Sequence, residues 1–231
     1  TETAFEVLSR ARALERQGRS IIHLEIGEPD FDTPAHIRNA AKEALDGGCT
    51  HYTPSAGLAE IRQACAEHVA QSRSLPVTAE NTVVVPGGKP ILFYTMLAVV
   101  EEGDEVVYPD PGFPIYESMI RFAGGVPVPL PLREERDFRF DPEELQALVT
   151  PRTKLIVVNS PGNPCGGVAT QAELESVAAA ALRADAYVLS DEIYSRILYA
   201  GEHRSVAALP GMLERTILLD GFSKTYAMTG W

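Results

Sequence analysis

From residue 82 onward, the sequence alternates short apolar runs with longer amphipathic segments. Each run has the length of a strand and each intervening segment the length of a helix, which is the pattern of a parallel sheet covered by helices. The sequence therefore predicts an α/β fold with a mostly parallel central sheet flanked by helices. The predicted strands are 82–86, 105–108, 126–130, 154–159, 186–190 and 216–220, and the helices between them are 90–100, 114–122, 142–149 and 171–183.

The first eighty residues lack this alternation. They contain helix-like segments at 4–17, 34–45 and 58–71 and a loop at 27–34, but no ladder of strands. We therefore interpret them as an arm and the lead-in to the main domain.

Composition excludes several classes of function. The chain has 32 acidic and 20 basic residues and a formal charge of -12, without a basic stripe, so we expect no nucleic-acid partner. No apolar run approaches the roughly 20 residues that a membrane helix needs, so we expect no membrane partner either. Three irregularly spaced cysteines and the lack of a signal-peptide pattern predict a cytoplasmic protein without a disulfide framework. The five histidines show no ligand spacing, so no metal is expected.

Unusual residues follow several of the predicted strands, at the edge where open α/β sheets bind ligands. Gly87, Gly88 and Lys89 open a helix whose backbone N–H groups could hold a phosphate, although this is also an ordinary strand-to-helix turn. Phe113 follows a rigid Pro-Asp-Pro-Gly turn. It could stack on a flat cofactor, or it could be a core aromatic residue under a loop.

Three further strands end in an amide, a carboxylate and an amine. Asn163, between a glycine and a proline, can present a fixed side-chain amide or simply form a turn. Asp191 ends a buried strand, where it could pair with a protonated ring nitrogen, cap a helix or pair with an arginine. Lys224 follows the last strand, where an amine shielded from water would be nucleophilic, although a lone lysine there is usually a surface charge.

These residues, taken in order, resemble the class I/II aminotransferases of the aspartate aminotransferase kind, which are fold-type I pyridoxal-phosphate enzymes. The resemblance covers nearly the whole chain. It is carried by GEPDF at 27–31, YTPSAG at 52–57, NP at 163–164, DEIY at 191–194 and SKTYAMTGW at 223–231.

The resemblance implies pyridoxal 5'-phosphate as cofactor and a role for each motif. Lys224 would form the Schiff base with the cofactor and shuttle a proton at the substrate α-carbon. Asp191 would pair with the pyridine nitrogen, and Asn163 and Tyr194 would bond the phenolic oxygen. The remaining implied roles are ring stacking by Phe113, phosphate binding by the backbone of Gly88 and Lys89, phosphate binding across a homodimer interface by Tyr52, and substrate contacts by Gly27, Phe113 and Asn163.

The chain departs from the family pattern at three points. Gly221 stands where relatives often have a phosphate-binding serine, and Cys165 where they often have threonine. The chain also ends at Trp231, one residue before a phosphate-binding arginine, so we expect an incomplete site and no C-terminal small domain. Residues 1–30 are then the N-terminal arm and the start of a small domain, and residues 31–231 are the cofactor-binding large domain.

The implied activity is transfer of an amino group from an L-amino acid to a 2-oxo acid. Two alternatives stay open at this stage. One is a lyase of the same superfamily, which would use the same lysine, aspartate and asparagine. The other is a noncatalytic cofactor-sensing domain. The sequence does not identify the donor amino acid.

Overall fold

The structure is a computed structural model, and it describes residues 4–231. A six-stranded sheet lies at the centre of this part of the chain. Helices precede it and alternate with its strands. The helices are α1 (Ala4–Glu15), α2 (Ala35–Asp46), α3 (Ala59–Arg73), α4 (Gly88–Val99), α5 (Ile115–Phe122), α6 (Pro142–Leu148), α7 (Gln171–Ala184) and α8 (Phe222–Thr225). The strands are β1 (Glu105–Asp110), β2 (Val126–Arg133), β3 (Arg139–Phe140), β4 (Thr153–Asn159), β5 (Tyr187–Asp191) and β6 (Thr216–Leu219).

The strand order is β3-β2-β1-β4-β5-β6. All neighbouring pairs are parallel except β2 and β3, which are antiparallel. The predicted fold class, a mostly parallel sheet flanked by helices, is confirmed. Parallel pairing brings the carboxyl ends of β1, β4, β5 and β6 to one edge of the sheet, and this edge carries the candidate site.

Helices cover both faces of the sheet because side chains alternate along each strand. Ile156 and Val158 of β4 face α6 and α7 in one core cluster. Leu155 and Val157 face α4 and α5 in the other. Full burial of an aliphatic side chain of this size stabilises the fold by about 1.5–3 kcal/mol, so the two clusters together hold the helices on the sheet.

Five of the predicted strands and all the predicted helices are confirmed, with small shifts at their ends. The strand predicted at 82–86 is wrong. This segment is extended, but it joins no ladder of the described sheet, and the Val84 N–H instead donates to the Ala56 carbonyl at 3.0 Å. Its β-branched residues fit a pleated surface, but a strand also needs a neighbouring backbone.

The charged stretch at 133–139 forms a hairpin between β2 and β3. Leu132 and Phe140 pair across it, and Phe140 is buried. Asp137 and Phe138 both adopt left-handed backbone conformations with φ of 54°, and this turns the chain back on itself. The mixed charge of the segment concealed the apolar pair at its base.

The helices before residue 80 bury little surface. No residue of α2 is buried, and in α3 only Ala66 and Arg73 are. Residues 1–3 of the predicted arm lie outside the described residues, and the domain boundary at residue 30 stays a prediction. Within residues 4–231, every helix is too short or too polar to cross a membrane.

Candidate active site

The register of the sheet brings the predicted residues together. Asn159 at the end of β4 pairs with Asp191 at the end of β5, and Asp191 pairs with Leu219 at the end of β6. The loop after β4 carries Asn163, and α8 after β6 carries Lys224. These side chains therefore lie at one edge of the sheet, as the sequence predicted.

Lys224 is half-buried beside the loop before α2. Its Nζ donates to the Gly27 carbonyl at 2.9 Å and lies 5.9 Å from the centre of the Tyr194 ring. Burial lowers the pKa of the Lys224 amine, and the nearby charge of Glu28 opposes this only in part. More of the amine is therefore neutral, and so nucleophilic, than in a lysine in water.

Asp191 is a buried carboxylate without a cationic partner among the described contacts. Tyr116 OH donates to its Oδ2 at 2.6 Å and the Ile193 N–H to its Oδ1 at 3.3 Å. Burial raises the pKa of Asp191 to about 6 despite these two hydrogen bonds, and the charges of Asp220 and Glu192 act in the same direction as burial. The sequence had left an arginine partner open, but Arg73 contacts Glu192 instead.

Tyr116 is a site residue that the sequence analysis missed. Its side chain is fully buried on α5, and burial, followed by the charge of Asp191, raises the pKa of its phenol well above 10. A signal was present, because Tyr116 lies beside Ile115 and four residues before Ile120 on the apolar face of a predicted helix. A buried phenol needs a hydrogen-bond partner, and an acceptor at the strand ends could have been sought.

The Tyr194 phenol and the Asn163 side chain are neighbours at this edge of the sheet. Burial and the charge of Asp191 raise the pKa of the Tyr194 phenol, and the hydrogen bond with Asn163 opposes the shift. Asn159 fixes the loop from the sheet side, because its Oδ1 accepts from the Asn163 N–H at 2.7 Å and its amide donates to the Asp191 carbonyl at 3.1 Å. The backbone of Asn163 is thus held beside the end of β4.

Phe113 is half-buried and packs edge-on against Tyr116, with 5.9 Å between the ring centres. It therefore touches the residue that bonds Asp191. The turn before Phe113 is very tight. A Cβ on Gly112 would lie 2.1 Å from the Pro109 carbonyl oxygen, so only glycine fits there.

Gly88 and Lys89 begin α4 next to the end of β6. A Cβ on Gly88 would lie 4.0 Å from Leu219 Cδ2, and Gly87 before it gives the helix no side-chain cap. Backbone N–H groups point out of the first turn of a helix, so the start of α4 is a place where a phosphate could bind. The Lys89 ammonium lies 5.7 Å from the centre of the Phe5 ring. The predicted phosphate contact of this residue therefore concerns its backbone N–H group and not its side chain.

Tyr52 is the predicted residue that the structure does not bring to this edge. It lies on the loop between α2 and α3 with its side chain fully exposed. Among residues 4–231, the hydrogen bonds and ring contacts do not link it to Lys224 or Asp191.

The glycine at 221 is explained by local packing, since a Cβ there would approach Ile193 Cδ1 to 3.1 Å.

Comparison with known proteins gives consistent matches along the chain. The family described as aminotransferase class I and II matches residues 19–231. The probable aspartate/prephenate aminotransferase of Thermus aquaticus is 46% identical over 227 residues, which are 97% of this chain and 58% of that protein. The arginine–pyruvate transaminase of Pseudomonas aeruginosa is 41% identical over 228 residues, covering 99% of this chain and 58% of that protein.

A solved structure agrees with these matches. The aspartate aminotransferase of Thermus thermophilus with maleate has a TM-score of 0.95 at 44% identity, covering 99% of this chain and 59% of that one. The chain therefore spans less than two thirds of the length of the relatives it matches.

The raised pKa of Asp191 predicts a pH-dependent effect of Asp191→Asn on stability. An acid whose pKa rises from 3.8 to about 6 on folding stabilises the fold below pH 3.8 and loses this contribution as the pH rises through 6. At pH 8 the cofactor-free variant should exceed the parent in unfolding free energy by about 3 kcal/mol, with no difference at pH 4. Denaturant unfolding at pH 4, 6 and 8 measures this. Asp185→Asn, at an exposed position, is the control, and a pH-independent effect of Asp191→Asn would contradict the prediction.

The tight turn at Gly112 predicts a large effect of Gly112→Ala. The added methyl group would collide with the Pro109 carbonyl, so the turn and Phe113 must move, at about 2 kcal/mol of stability. Thermal unfolding and the affinity for the cofactor measure the two effects. Gly230→Ala is the matched control, because a Cβ there meets nothing within 4 Å. Equal behaviour of the two variants would refute the steric argument.

Proposed function

Since the chain belongs to the aminotransferase class I and II family, we propose that it forms the cofactor-binding part of a pyridoxal-phosphate-dependent aminotransferase. The proposed reaction moves an amino group from an L-amino acid to a 2-oxo acid. The observation that carries the proposal is the half-buried amine of Lys224 at the same sheet edge as the buried carboxylate of Asp191. The activity of the whole protein is part of the proposal, because the chain spans 58% of a relative's length.

The donor set at this edge fits pyridoxal phosphate. The cofactor has an aldehyde, a flat ring with a basic nitrogen, a phenolic oxygen and a phosphate. Matching groups are the Lys224 amine, the Asp191 carboxylate, the Tyr194–Asn163 pair and the uncapped start of α4. When bound, the cofactor supplies a carbonyl that condenses with amines and a ring that accepts electrons.

Lys224 is proposed to be both the attachment point and the proton carrier. The lowered pKa of its amine favours the neutral form that attacks a carbonyl. The same amine would take a proton from the substrate α-carbon and return it later, because general acid–base catalysis works best with a pKa near the working pH. The Gly27 carbonyl, 2.9 Å away, orients Nζ toward the loop that we propose contacts the substrate.

Asp191 is proposed to hold a proton on the ring nitrogen. Burial destabilises its anion, as the pKa of about 6 indicates, so a cationic N–H partner would relieve this penalty and be held strongly in return. Tyr116 keeps Oδ2 in position through its 2.6 Å hydrogen bond. Tyr194 and Asn163 would bond the phenolic oxygen, which sets how readily the attached amine holds its proton.

The other proposed roles concern orientation. The Phe113 ring would stack on the cofactor, and the N–H groups of Gly88 and Lys89 would bind its phosphate with help from the dipole of α4. Gly27, Phe113 and Asn163 would contact the substrate. The names of the relatives point to different amino acids, with aspartate and prephenate in one and arginine in another. The proposal for this chain therefore stops at an amino-acid donor and a 2-oxo-acid acceptor.

We also propose that the protein is a homodimer in which Tyr52 reaches the phosphate in the other subunit. Support comes from the exposure of apolar side chains before residue 90, including Leu24, Phe31 and Leu45, which are at least 61% exposed. A large exposed apolar surface is typical of an interface. Tyr52 itself is fully exposed on the loop after α2.

Borohydride trapping tests the proposed attachment. Adding pyridoxal phosphate to the protein should produce an absorbance band at the edge of the visible range. Borohydride reduction should then attach the cofactor permanently to Lys224, one of four lysines in the chain. Peptide mapping identifies the labelled residue. Lys224→Ala should lose the label, and the matched control Lys154→Ala should keep it. A label on another lysine would refute the assignment.

Product analysis of the full protein then tests the reaction. We expect an amino acid and a 2-oxo acid to exchange their amino group, with no turnover of the amino acid alone. Formation of pyruvate and ammonia from a β-substituted amino acid without an acceptor would favour a lyase and contradict transamination. Intact cofactor binding without either reaction would favour a sensing role.

Mixing of two inactive variants tests the shared site. If Lys224 and Tyr52 act across the interface, dimers mixed from Lys224→Ala and Tyr52→Ala contain one intact site, so random mixing should restore about a quarter of the parent activity. Activity after co-refolding, relative to each variant alone, is the measurement. Tyr199→Ala is the control at another fully exposed tyrosine. If Tyr52→Ala alone is as active as the parent, Tyr52 is not part of the shared site. The same follows if the mixture of the two variants recovers no activity.

A further inference from the structure

A buried arginine joins two strand ends behind the candidate site. Arg73 lies in the last turn of α3, and its side chain is 2% exposed. Its Nε donates to Glu192 Oε2 at 3.0 Å, and its Nη2 donates to Asp220 Oδ2 at 2.5 Å and Ser195 Oγ at 3.0 Å. The guanidinium thus bridges the residue after β5 to the residue after β6.

Each of these carboxylates is close in sequence to a proposed catalytic residue. Glu192 directly follows Asp191, and Asp220 comes four residues before Lys224. The Glu192 N–H also donates to the Leu219 carbonyl at 2.8 Å, so the backbone joins the same two strand ends. The guanidinium therefore contacts the two segments that carry the proposed catalytic residues.

Stability alone is a poor explanation for this arrangement. A buried ion pair loses hydration energy that its attraction only partly restores, and well-packed apolar residues often do as well. Glu192 is also satisfied by other donors, since His203 Nε2, Ser190 Oγ and Ser205 Oγ lie within 2.8 Å of its carboxylate oxygens. Arg73 also bridges a second carboxylate, Asp220. It therefore reduces the negative charge around Asp191.

We propose that Arg73 is a positioning residue that neutralises Glu192 and Asp220 and so keeps Asp191 available as an anion. The proposal rests on the proposed role of Asp191 as partner of the cofactor ring nitrogen. Without Arg73, Asp220 would lose its guanidinium partner and Glu192 would keep only His203, Ser190 and Ser205, so more negative charge would act on Asp191 at the carboxyl ends of β5 and β6. Like charges nearby favour the neutral form of a carboxyl group, which could not pair with a protonated ring nitrogen.

The groups around Asp191 agree with this role. The titratable neighbours that act on it are Tyr116 from α5, Glu192 beside it and Asp220 after β6, and Asp191 in turn acts on Tyr194. The charges of Asp220 and Glu192 raise the pKa of Asp191, whereas the Tyr116 hydrogen bond lowers it. Burial raises the pKa of Glu192, but His203, Ser205 and the charge of Arg73 outweigh burial, so Glu192 stays ionised beside Asp191.

Charge-balanced variants test the proposal in the cofactor-free protein. Carboxyl-carbon NMR follows the titration of Asp191, whose signal is assigned by its loss in Asp191→Asn. Arg73→Met should raise the pKa of Asp191 by about 1, since it removes the compensating charge. The double variant Arg73→Met/Asp220→Asn should bring it back toward the parent value, and Arg73→Lys, which keeps the charge, should leave it unchanged.

The outcomes separate compensation from simple packing. If folded Arg73→Met and the double variant both titrate like the parent, the proposal is wrong, whatever their melting temperatures. If Arg73→Met does not fold, Asp220→Asn decides, because removing that charge while Arg73 remains should lower the pKa of Asp191, and an unchanged value would overturn the proposal. Failure of the parent to bind pyridoxal phosphate would instead defeat the proposed function, since these titrations need no cofactor.

Discussion

The parallel pairing of β4, β5 and β6 is the constraint on which the rest of the site depends. One register places Asn159, Asp191 and Leu219 side by side at the carboxyl edge. The loop that carries Asn163 and the helix that carries Lys224 leave from these same strand ends. Side chains alternate in direction along a strand, so a shift of the pairing register by one residue would turn Asp191 toward the opposite face of the sheet. The side chains of the site would then no longer lie together. The two apolar core clusters, one on each face, exclude such a shift.

The sequence could predict the members of the site better than their environment. Five strands, the flanking helices and the grouping of Asn163, Asp191 and Lys224 follow from local patterns, because apolar periodicity and strand-end chemistry are local. Tyr116 and Arg73 do not, since their partners lie 75 to 147 residues away. The strand predicted at 82–86 fails for the same reason, because an extended segment becomes a strand only if another backbone pairs with it. A single sequence does not contain that information.

Burial of the acidic group links stability to chemistry. The carboxylate of Asp191 is shielded by α5, which contributes Tyr116 and much of one core cluster. The same packing that stabilises α5 therefore destabilises the Asp191 anion and raises its pKa to about 6. A cation bound at that position would offset the free-energy cost of burying the Asp191 anion. Under the proposed function, cofactor binding and fold stability would therefore be coupled through this one side chain.

Two adjacent carboxylates in this fold have pKa values shifted in opposite directions, and the different partners of the two side chains explain why. Asp191 meets the face covered by α5, where one phenol and one N–H are its donors, and burial dominates. Glu192 meets Arg73 of α3 and His203, where cationic and hydroxyl donors outweigh burial. Neighbours in sequence can thus serve different purposes, and their pKa shifts run against the intrinsic difference, since aspartate is ordinarily the stronger acid of the two. Glu192 joins strand ends within the fold, whereas Asp191 has no cationic partner among the described contacts, which suits its proposed role as the partner of a ligand cation.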